Sequence, residues 1–136
     1  MANNPLFYDA TVVAGVNAVT ALLNNGYLVI YTGSQPSLDG SLTGTLLATL
    51  TFASTAFGSA GASTGTVTAT ANSITSGTAG NSGTAQYFAL LKSDGTTIVA
   101  TGSVGTSGAD LNLSTTSISS GAVVSCSSFT ITQAQT

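Results

Sequence analysis

The stretch Thr84-Ala-Gln-Tyr-Phe-Ala-Leu-Leu91, followed by Lys92-Ser-Asp-Gly95, decides the fold. Its large side chains alternate between two directions, and both directions are apolar, which is typical of a strand buried on both faces. The dipeptide Asp94-Gly95 then marks a tight turn, because Asp-Gly between apolar strands is the strongest short signal for a β-hairpin. We therefore predict a central strand over 84–91 and a hairpin partner over 96–104.

Other segments with strand character lie on either side of this hairpin. Tyr27–Tyr31 is apolar throughout, which predicts a second strand buried on both faces. In 45–52 the two-residue period of a half-buried strand places Leu47 alone among the apolar residues on the outer face. The residues expected on its inner face are Leu46, Ala48, Leu50 and Phe52. Further strands are expected over 66–71, 110–113 and 118–132, giving six to eight in all.

Two further patterns concern the predicted strands, one within the last strand and one at the start of several strands. In the last predicted strand a set of residues at alternate positions is expected to share one face, namely Val123, Ser125, Ser127, Phe129 and Ile131. Gly-Thr dipeptides open several strands, at Gly44, Gly65, Gly83 and Gly95. Their spacing is irregular, so they indicate turn chemistry rather than the repeat of a solenoid.

The segment after Asp9 has a different period. Val12, Val16, Val19 and Leu23 recur at intervals of three and four residues, as on one face of a helix. Asp9 can serve as its N-cap, and Asn24-Asn25-Gly26 supplies a left-handed stop. We predict one helix at about 10–24.

Residues 1–8 form no periodic pattern, and Pro5 biases the residue before it away from helix. We predict an extended N-terminal arm over 1–8, whose last three residues, Leu6, Phe7 and Tyr8, are large and apolar. They are the candidate partner-binding residues. Two alternatives stay open for them, docking onto a neighbouring subunit or packing on their own domain.

The chain has 136 residues, which fits one compact domain with one core. Many short strands with Gly-rich connections, preceded by one helix, favour an all-β fold. We predict a β-sandwich or jelly-roll-like domain over 9–136, with one short N-terminal helix and the extended N-terminal arm.

Charge is nearly absent from the sequence. Charged residues make up 4% of the chain, against roughly 25% in typical domains, and the formal net charge is −3. The charged residues are Asp9, Asp39, Asp94, Asp110 and Lys92. With one cation there is no basic surface to neutralise phosphates, so nucleic-acid binding is not expected. No basic leader and no run of about 20 apolar residues occur, so a membrane span is not expected either.

The inventory of side chains argues against an enzyme. The chain lacks histidine, arginine, glutamate and tryptophan, which removes most groups that transfer protons near neutral pH or ligate transition metals. Cys126 is the single cysteine, and its strand-like neighbours suggest an inert packing residue. Calcium is the one open alternative, through Asp110, Asn112 and Asn81. We expect no catalytic residues, no metal site and no cofactor.

Several stretches resemble small virion structural proteins of tailed bacteriophages, of the decoration or tail-associated kind. They are the helix end Leu22-Leu-Asn24, then Tyr27-Leu-Val-Ile-Tyr-Thr-Gly-Ser-Gln-Pro36, then Gly44-Thr-Leu-Leu-Ala-Thr-Leu-Thr-Phe52. The resemblance continues through Gly83-Thr-Ala-Gln-Tyr-Phe88, the Ser93-Asp-Gly95 hairpin, Ser103-Val-Gly-Thr-Ser-Gly-Ala-Asp-Leu-Asn-Leu113 and Phe129-Thr-Ile-Thr132. It covers nearly the whole chain.

The resemblance implies assembly on a virus particle. We expect a capsid decoration (cement) protein, made in the host cytoplasm, that binds and stabilises the head shell at the virion surface. Its partners would be the major capsid protein or other virion subunits, and by analogy it would be a homo-oligomer, a trimer. The alternative is a tail, fibre or baseplate-associated virion protein contacting the host surface, which exposed aromatic residues clustered in the Gly/Ser-rich loops would favour.

Overall fold

The structure is a computed structural model that describes residues 6–134, so residues 1–5 of the predicted arm lie outside the described part. One helix, α1 (Asp9–Ala21), precedes twelve strands within these residues. The strands are β1 (Tyr27–Tyr31), β2 (Leu46–Thr51), β3 (Gly61–Ser63), β4 (Thr66–Thr70), β5 (Gly77–Thr78), β6 (Gly83–Thr84), β7 (Tyr87–Leu91), β8 (Ile98–Gly105), β9 (Leu111–Asn112), β10 (Ser117–Ile118), β11 (Val123–Val124) and β12 (Thr130–Ala134).

A five-stranded sheet with the order β2-β1-β7-β8-β9 forms the largest layer. Its neighbours pair antiparallel except for β8 and β9, which run parallel over two residues. β7 lies between β1 and β8, and all five of its residues are buried. The predicted central strand is therefore confirmed at Tyr87–Leu91, and so are the Asp-Gly hairpin and the strand at Tyr27–Tyr31.

The remaining strands form smaller sheets. An antiparallel sheet has the order β12-β4-β3, and two-stranded pairs join β10 to β6 and β11 to β5. Helix α1 lies against β3, β4 and β12 and buries Val12, Val16 and Thr20. The fold is thus mostly β with one short helix, as the sequence predicts.

One apolar cluster joins the helix, the five-stranded sheet and the three-stranded sheet. It includes Val12 and Val16 of α1, Leu28 and Ile30 of β1, Val67 and Ala69 of β4, and Phe88 and Leu90 of β7. The Phe88 and Phe129 rings meet edge to face with centroids 5.4 Å apart, a preferred arrangement for aromatic pairs. The Phe88 ring also lies over Gly102, where an added Cβ would be 2.5 Å from the ring. Only glycine leaves room for the ring at that point of β8.

The helix differs from its prediction at both ends. It begins at Asp9, so Asp9 lies in the first turn and is not the N-cap, which is Tyr8 and makes no side-chain capping bond. A carboxylate in the first turn still interacts favourably with the helix dipole. The helix ends at Ala21, three residues before the predicted end, and residues 22–25 form a turn. Asn25 has a φ of 58°, so the predicted left-handed stop is confirmed.

The prediction that Leu47 lies on the outer face is wrong. Leu47 is buried, whereas Leu46 is 39% exposed. The cause is a β-bulge, since Ile30 pairs with Ala48 but Tyr31 pairs with Leu46. Leu47 is the extra residue of β2 at this point, and a bulge re-aims the side chains around it.

Two predicted strands are in fact divided. In 84–91 the chain changes partner, because Gly83–Thr84 pairs with β10 whereas Tyr87–Leu91 pairs with β1 and β8. The segment 118–132 contains parts of three strands, separated by a turn at Gly121, which has a φ of 89°, and by an irregular stretch after β11. The shared face predicted there is wrong, because Val123 is 70% exposed while Phe129 is buried. Twelve strands, many of two residues, replace the expected six to eight.

The turn chemistry inferred from the Gly-Thr dipeptides is confirmed at three of the four positions. Gly44, Gly65 and Gly95 have φ values of 88°, 82° and 74°, in the left-handed region that glycine adopts without a steric cost. Each of them precedes or lies in the turn that leads to a strand. Gly83 is different, because it lies within β6.

A buried tyrosine fixes the long connection between β1 and β2. The Tyr87 hydroxyl accepts a hydrogen bond from the Thr43 N–H at 3.0 Å and donates one to the Thr43 carbonyl. The Tyr87 ring stacks on Tyr31 with centroids 5.4 Å apart. In the same connection Leu42 packs against the buried residues Val29, Ala89 and Leu91. The connection therefore covers the outer face of the five-stranded sheet.

We expect Tyr87→Phe to lower the free energy of unfolding by about 1–3 kcal/mol, because it leaves two backbone groups of Thr43 without their partner. Chemical denaturation measures this loss. Tyr31→Phe is the matched control, since it keeps the stacked ring and removes a hydroxyl that does not hold Thr43. An equal effect of the two variants would contradict the role of the Tyr87 hydroxyl.

Candidate interaction surface

The three candidate partner-binding residues lie together where the chain enters α1. Leu6 is 74% exposed, Phe7 52% and Tyr8 82%. Tyr8, the last residue of the predicted arm, has extended backbone, with φ −75° and ψ 157°. Leu6 and Tyr8 are large apolar side chains that their own domain leaves mostly uncovered.

Phe7 differs from its two neighbours because it also contributes to the helix start. It precedes the N-cap, and it lines the same groove as Val12, the fourth residue of α1. This is the spacing of a hydrophobic staple, in which the residue before the N-cap packs near the fourth helical residue. Phe7 thus packs partly on its own domain, whereas the side chains of Leu6 and Tyr8 extend into solvent and are available to a neighbouring subunit.

An apolar groove of about 400 Å³ continues from Phe7 along the helix, between α1 and β12. Its helix side and its strand side consist mainly of apolar residues, namely Val12, Gly15, Val16, Val19, Ile131 and Ala134. Val19 is 39% exposed, and Leu22, the residue directly after α1, is 45% exposed. We call Leu6–Tyr8 together with this groove the arm–groove surface. Sequence reasoning missed the groove, because its two sides are more than a hundred residues apart in the chain.

A second cleft, of about 580 Å³, lies between the β1–β2 connection and β8. Residues 35–40 form one side and residues 98–101 the other, and Gln35 Nε2 donates a hydrogen bond to Thr101 Oγ1 at 3.1 Å. No aromatic residue lines this cleft. The nine aromatic residues of the chain all lie in the described part, and only Phe7 and Tyr8 are prominently exposed.

The aspartate side chains are not gathered in one place, and three of them lie in turns or loops. Asp94 accepts hydrogen bonds from the N–H groups of Thr96 and Thr97, both at 2.9 Å, and from the Thr97 hydroxyl. These bonds, chiefly those from Thr97, hold the pKa of the Asp94 carboxyl well below its usual range. Asp110 accepts from the N–H and hydroxyl of Ser103, and Asp39 occupies a turn with a φ of 61°.

The residues considered for chemistry or for calcium have partners within the fold. The Cys126 thiol is buried and lies 3.3 Å from the Ser128 carbonyl, and burial raises its pKa. Asn81 donates to the Leu46 carbonyl, and Asn112 accepts from the Ala109 N–H. Within residues 6–134 no three His, Cys, Asp or Glu side chains lie close enough together to hold a metal ion. In the same residues, no helix is long and apolar enough to cross a membrane.

Comparison with known proteins does not assign a function to the arm–groove surface. No protein-family description, no curated protein and no solved structure matches the chain. The resemblance to phage virion proteins therefore stays a hypothesis.

We expect Asp94→Asn to lower the urea midpoint of unfolding at pH 7. The folded-state pKa of Asp94 is depressed, so its carboxylate stabilises the fold above the unfolded pKa of about 4, and this contribution is lost as the pH falls through the folded value. The difference between the variant and the wild type should therefore shrink as the pH is lowered below about 4.

Asp39→Asn is the matched control, since it removes the same charge from a different turn, and asparagine also tolerates its left-handed backbone. Urea titrations of the three proteins from neutral to acidic pH make the comparison. An Asp94→Asn deficit that persists unchanged at the lowest pH would contradict the assignment.

Proposed function

We propose that the chain is a structural protein of a tailed-phage virion, a capsid decoration (cement) protein that binds and stabilises the head shell. The observation that carries this proposal is a nearly uncharged β-domain whose exposed large apolar side chains concentrate at the arm–groove surface. The resemblance of the sequence to small virion proteins supplies the kind of assembly. The partners are the major capsid protein or other virion subunits, and the protein acts by binding, as a homo-oligomer.

The low charge limits how this protein can bind. Four aspartates and one lysine are its charged side chains, and two of those aspartates hold turns or loops through hydrogen bonds. Ion pairs on an exposed surface contribute little in any case. Association must therefore depend on apolar contact and on hydrogen bonds from backbone and hydroxyl groups. Binding of this kind responds weakly to ionic strength.

The distribution of apolar side chains points to one side of the molecule. Of the nine large apolar residues that stand exposed in the described part, four belong to the arm–groove surface, which are Leu6, Phe7, Tyr8 and Val19, and Leu22 follows directly after α1. Single exposed apolar residues are ordinary, but several grouped at one place mark an interaction site. The arm–groove surface is thus the contact that we assign to a neighbouring subunit, which is another copy of this chain or another virion protein.

The alternative function, a tail, fibre or baseplate-associated protein contacting the host surface, has less support. It would be favoured by aromatic residues exposed in the Gly/Ser-rich loops, because aromatic rings are common contacts for glycans and receptors. The exposed aromatic residues are Phe7 and Tyr8, which belong to the arm. This placement favours contact with a subunit through the arm over contact with a host through the loops.

We also propose that the β-rich fold is a β-sandwich or jelly-roll-like domain, with the five-stranded sheet and the β12-β4-β3 sheet as its two layers. The support is the shared core, in which Phe88 of one sheet meets Phe129 directly before β12 of the other. A closed two-layer core of this kind suits a module that must keep its shape on a particle surface.

The test is electron microscopy of intact particles together with a binding assay on particles that lack the protein. We expect density on the outer surface of the head, and binding that changes little between low and high salt. Leu6→Ser combined with Tyr8→Ser should weaken binding at least about tenfold, because each removes an apolar side chain worth more than one kcal/mol when buried.

Leu38→Ser is the control variant, since Leu38 is 94% exposed but lies in the β1–β2 connection and lines the second cleft, not the groove. It should bind particles like the wild type. Density confined to the tail would overturn the decoration function, and normal binding by the Leu6→Ser, Tyr8→Ser variant would overturn the role of the arm.

A further inference from the structure

We propose that the groove between α1 and β12 receives the side chains of Leu6 and Tyr8 from a second copy of this chain, while Phe7 stays at the start of its own helix. The copies then form a closed ring in which each arm fills the groove of its neighbour. The inference rests on the role that the proposed function gives to the arm, and it identifies the partner of that arm. Four observations about the arm–groove surface carry it.

The first observation is a glycine in the middle of the helix. Gly15 lies in the groove, and a Cβ added to it would meet nothing within 4 Å. Glycine is the second most unfavourable residue in a helix interior, so some benefit must offset its presence. Packing within the chain provides none, because the space above Gly15 is open. A shallow place in the floor of the groove instead gives room for a bulky side chain from outside.

The second observation is that the arm of the same chain does not fill the groove. Only Phe7 lines it, at the end nearest the start of the helix, while Leu6 and Tyr8 are 74% and 82% exposed. The helix begins directly after the extended Tyr8. The groove and two large apolar side chains are thus both uncovered in a single copy.

The third observation concerns reach. The described arm residues 6–8 span up to about 10 Å when extended, at ~3.3 Å per residue. The thirteen residues of α1 are about 20 Å long at 1.5 Å per residue. These three arm residues of one copy are therefore long enough to follow about half of the groove along the helix of another copy.

The fourth observation is chemical match. The groove has no charged side chain, and the segment Leu6–Tyr8 has none either. β12 is an edge strand that pairs with β4 alone among the described strands, so its outer side can add hydrogen bonds to an extended segment. The arm and the groove are different surfaces, and a contact between two different surfaces closes into a ring when its rotation closes. One contact, repeated, then covers every arm and every groove.

The experiment measures the mass of the purified full-length protein in solution by light scattering and sedimentation over a range of concentrations, without particles. We expect an oligomer of defined size for the wild type. Gly15→Leu should shift it to the monomer by at least tenfold in dissociation constant, because the new side chain occupies the groove. This variant should fold at least as well as the wild type, since leucine has much the higher helix propensity.

Two further variants complete the design. Ala18→Leu is the matched control, because Ala18 is exposed on the same helix but does not line the groove, and it should leave the oligomer intact. Leu6→Ser combined with Tyr8→Ser should also give the monomer, while Phe7 remains in place at the helix start. Serine at position 8 is a better N-cap than tyrosine, so the fold is not weakened there. A synthetic peptide of residues 1–8, added in excess, should dissociate the wild-type oligomer.

A wild type that stays monomeric at high concentration overturns the inference, and so does an oligomer that Gly15→Leu leaves unchanged. These results are separate from those of the proposed function. A monomer that still decorates heads would remove the arm exchange and keep the decoration function. An oligomer that depends on Gly15 but is never found on particles would keep the arm exchange and remove the decoration function.

Discussion

The structure depends on the burial of β7 from both sides. The backbone N–H and C=O groups of β7 are hydrogen-bonded to its neighbours β1 and β8. They therefore need no water, and the strand can be apolar at every position. One face directs Phe88 and Leu90 into the main core, and the other directs Ala89 and Leu91 under the β1–β2 connection. In a chain with so few ionised groups, apolar burial of this kind supplies most of the stabilising free energy.

The parts of the fold that follow from nearby residues could be predicted from the sequence. The buried strand Tyr27–Tyr31, the Asp94-Gly95 hairpin and the single helix are of this kind, because side-chain period and turn residues determine them locally. The inward turn of Leu47 could not be predicted, since a bulge arises from how β2 meets β1. The division of 84–91 has the same origin, because the Ala85 N–H donates to the Thr116 carbonyl beside β10, whereas the Gln86 N–H donates to the Tyr31 carbonyl of β1.

For the candidate surface as well, one part could be predicted from the sequence and another could not. Leu6, Phe7 and Tyr8 could be singled out because three large apolar residues precede the helix. The groove could not, since it exists only when β12 lies beside α1, and the sequence contains no sign of that pairing. Gly15 is the one local hint, a glycine in an otherwise regular helical pattern. Because Gly15 has no side chain, the floor of the groove is open at that point, which gives a surface of ordinary aliphatic side chains a specific shape.

The groove has one more consequence, for how the molecule can be re-engineered. Phe7 and Ala134 both line it, so the two ends of the described chain lie close together in space. Joining the ends through a short linker, with new termini opened at the exposed β3–β4 turn of Ser63-Thr64-Gly65, would give a circular permutant with an undisturbed interior. Fusion partners attached at the original ends would shield the groove, whereas cargo attached at the permuted ends would project from a different region.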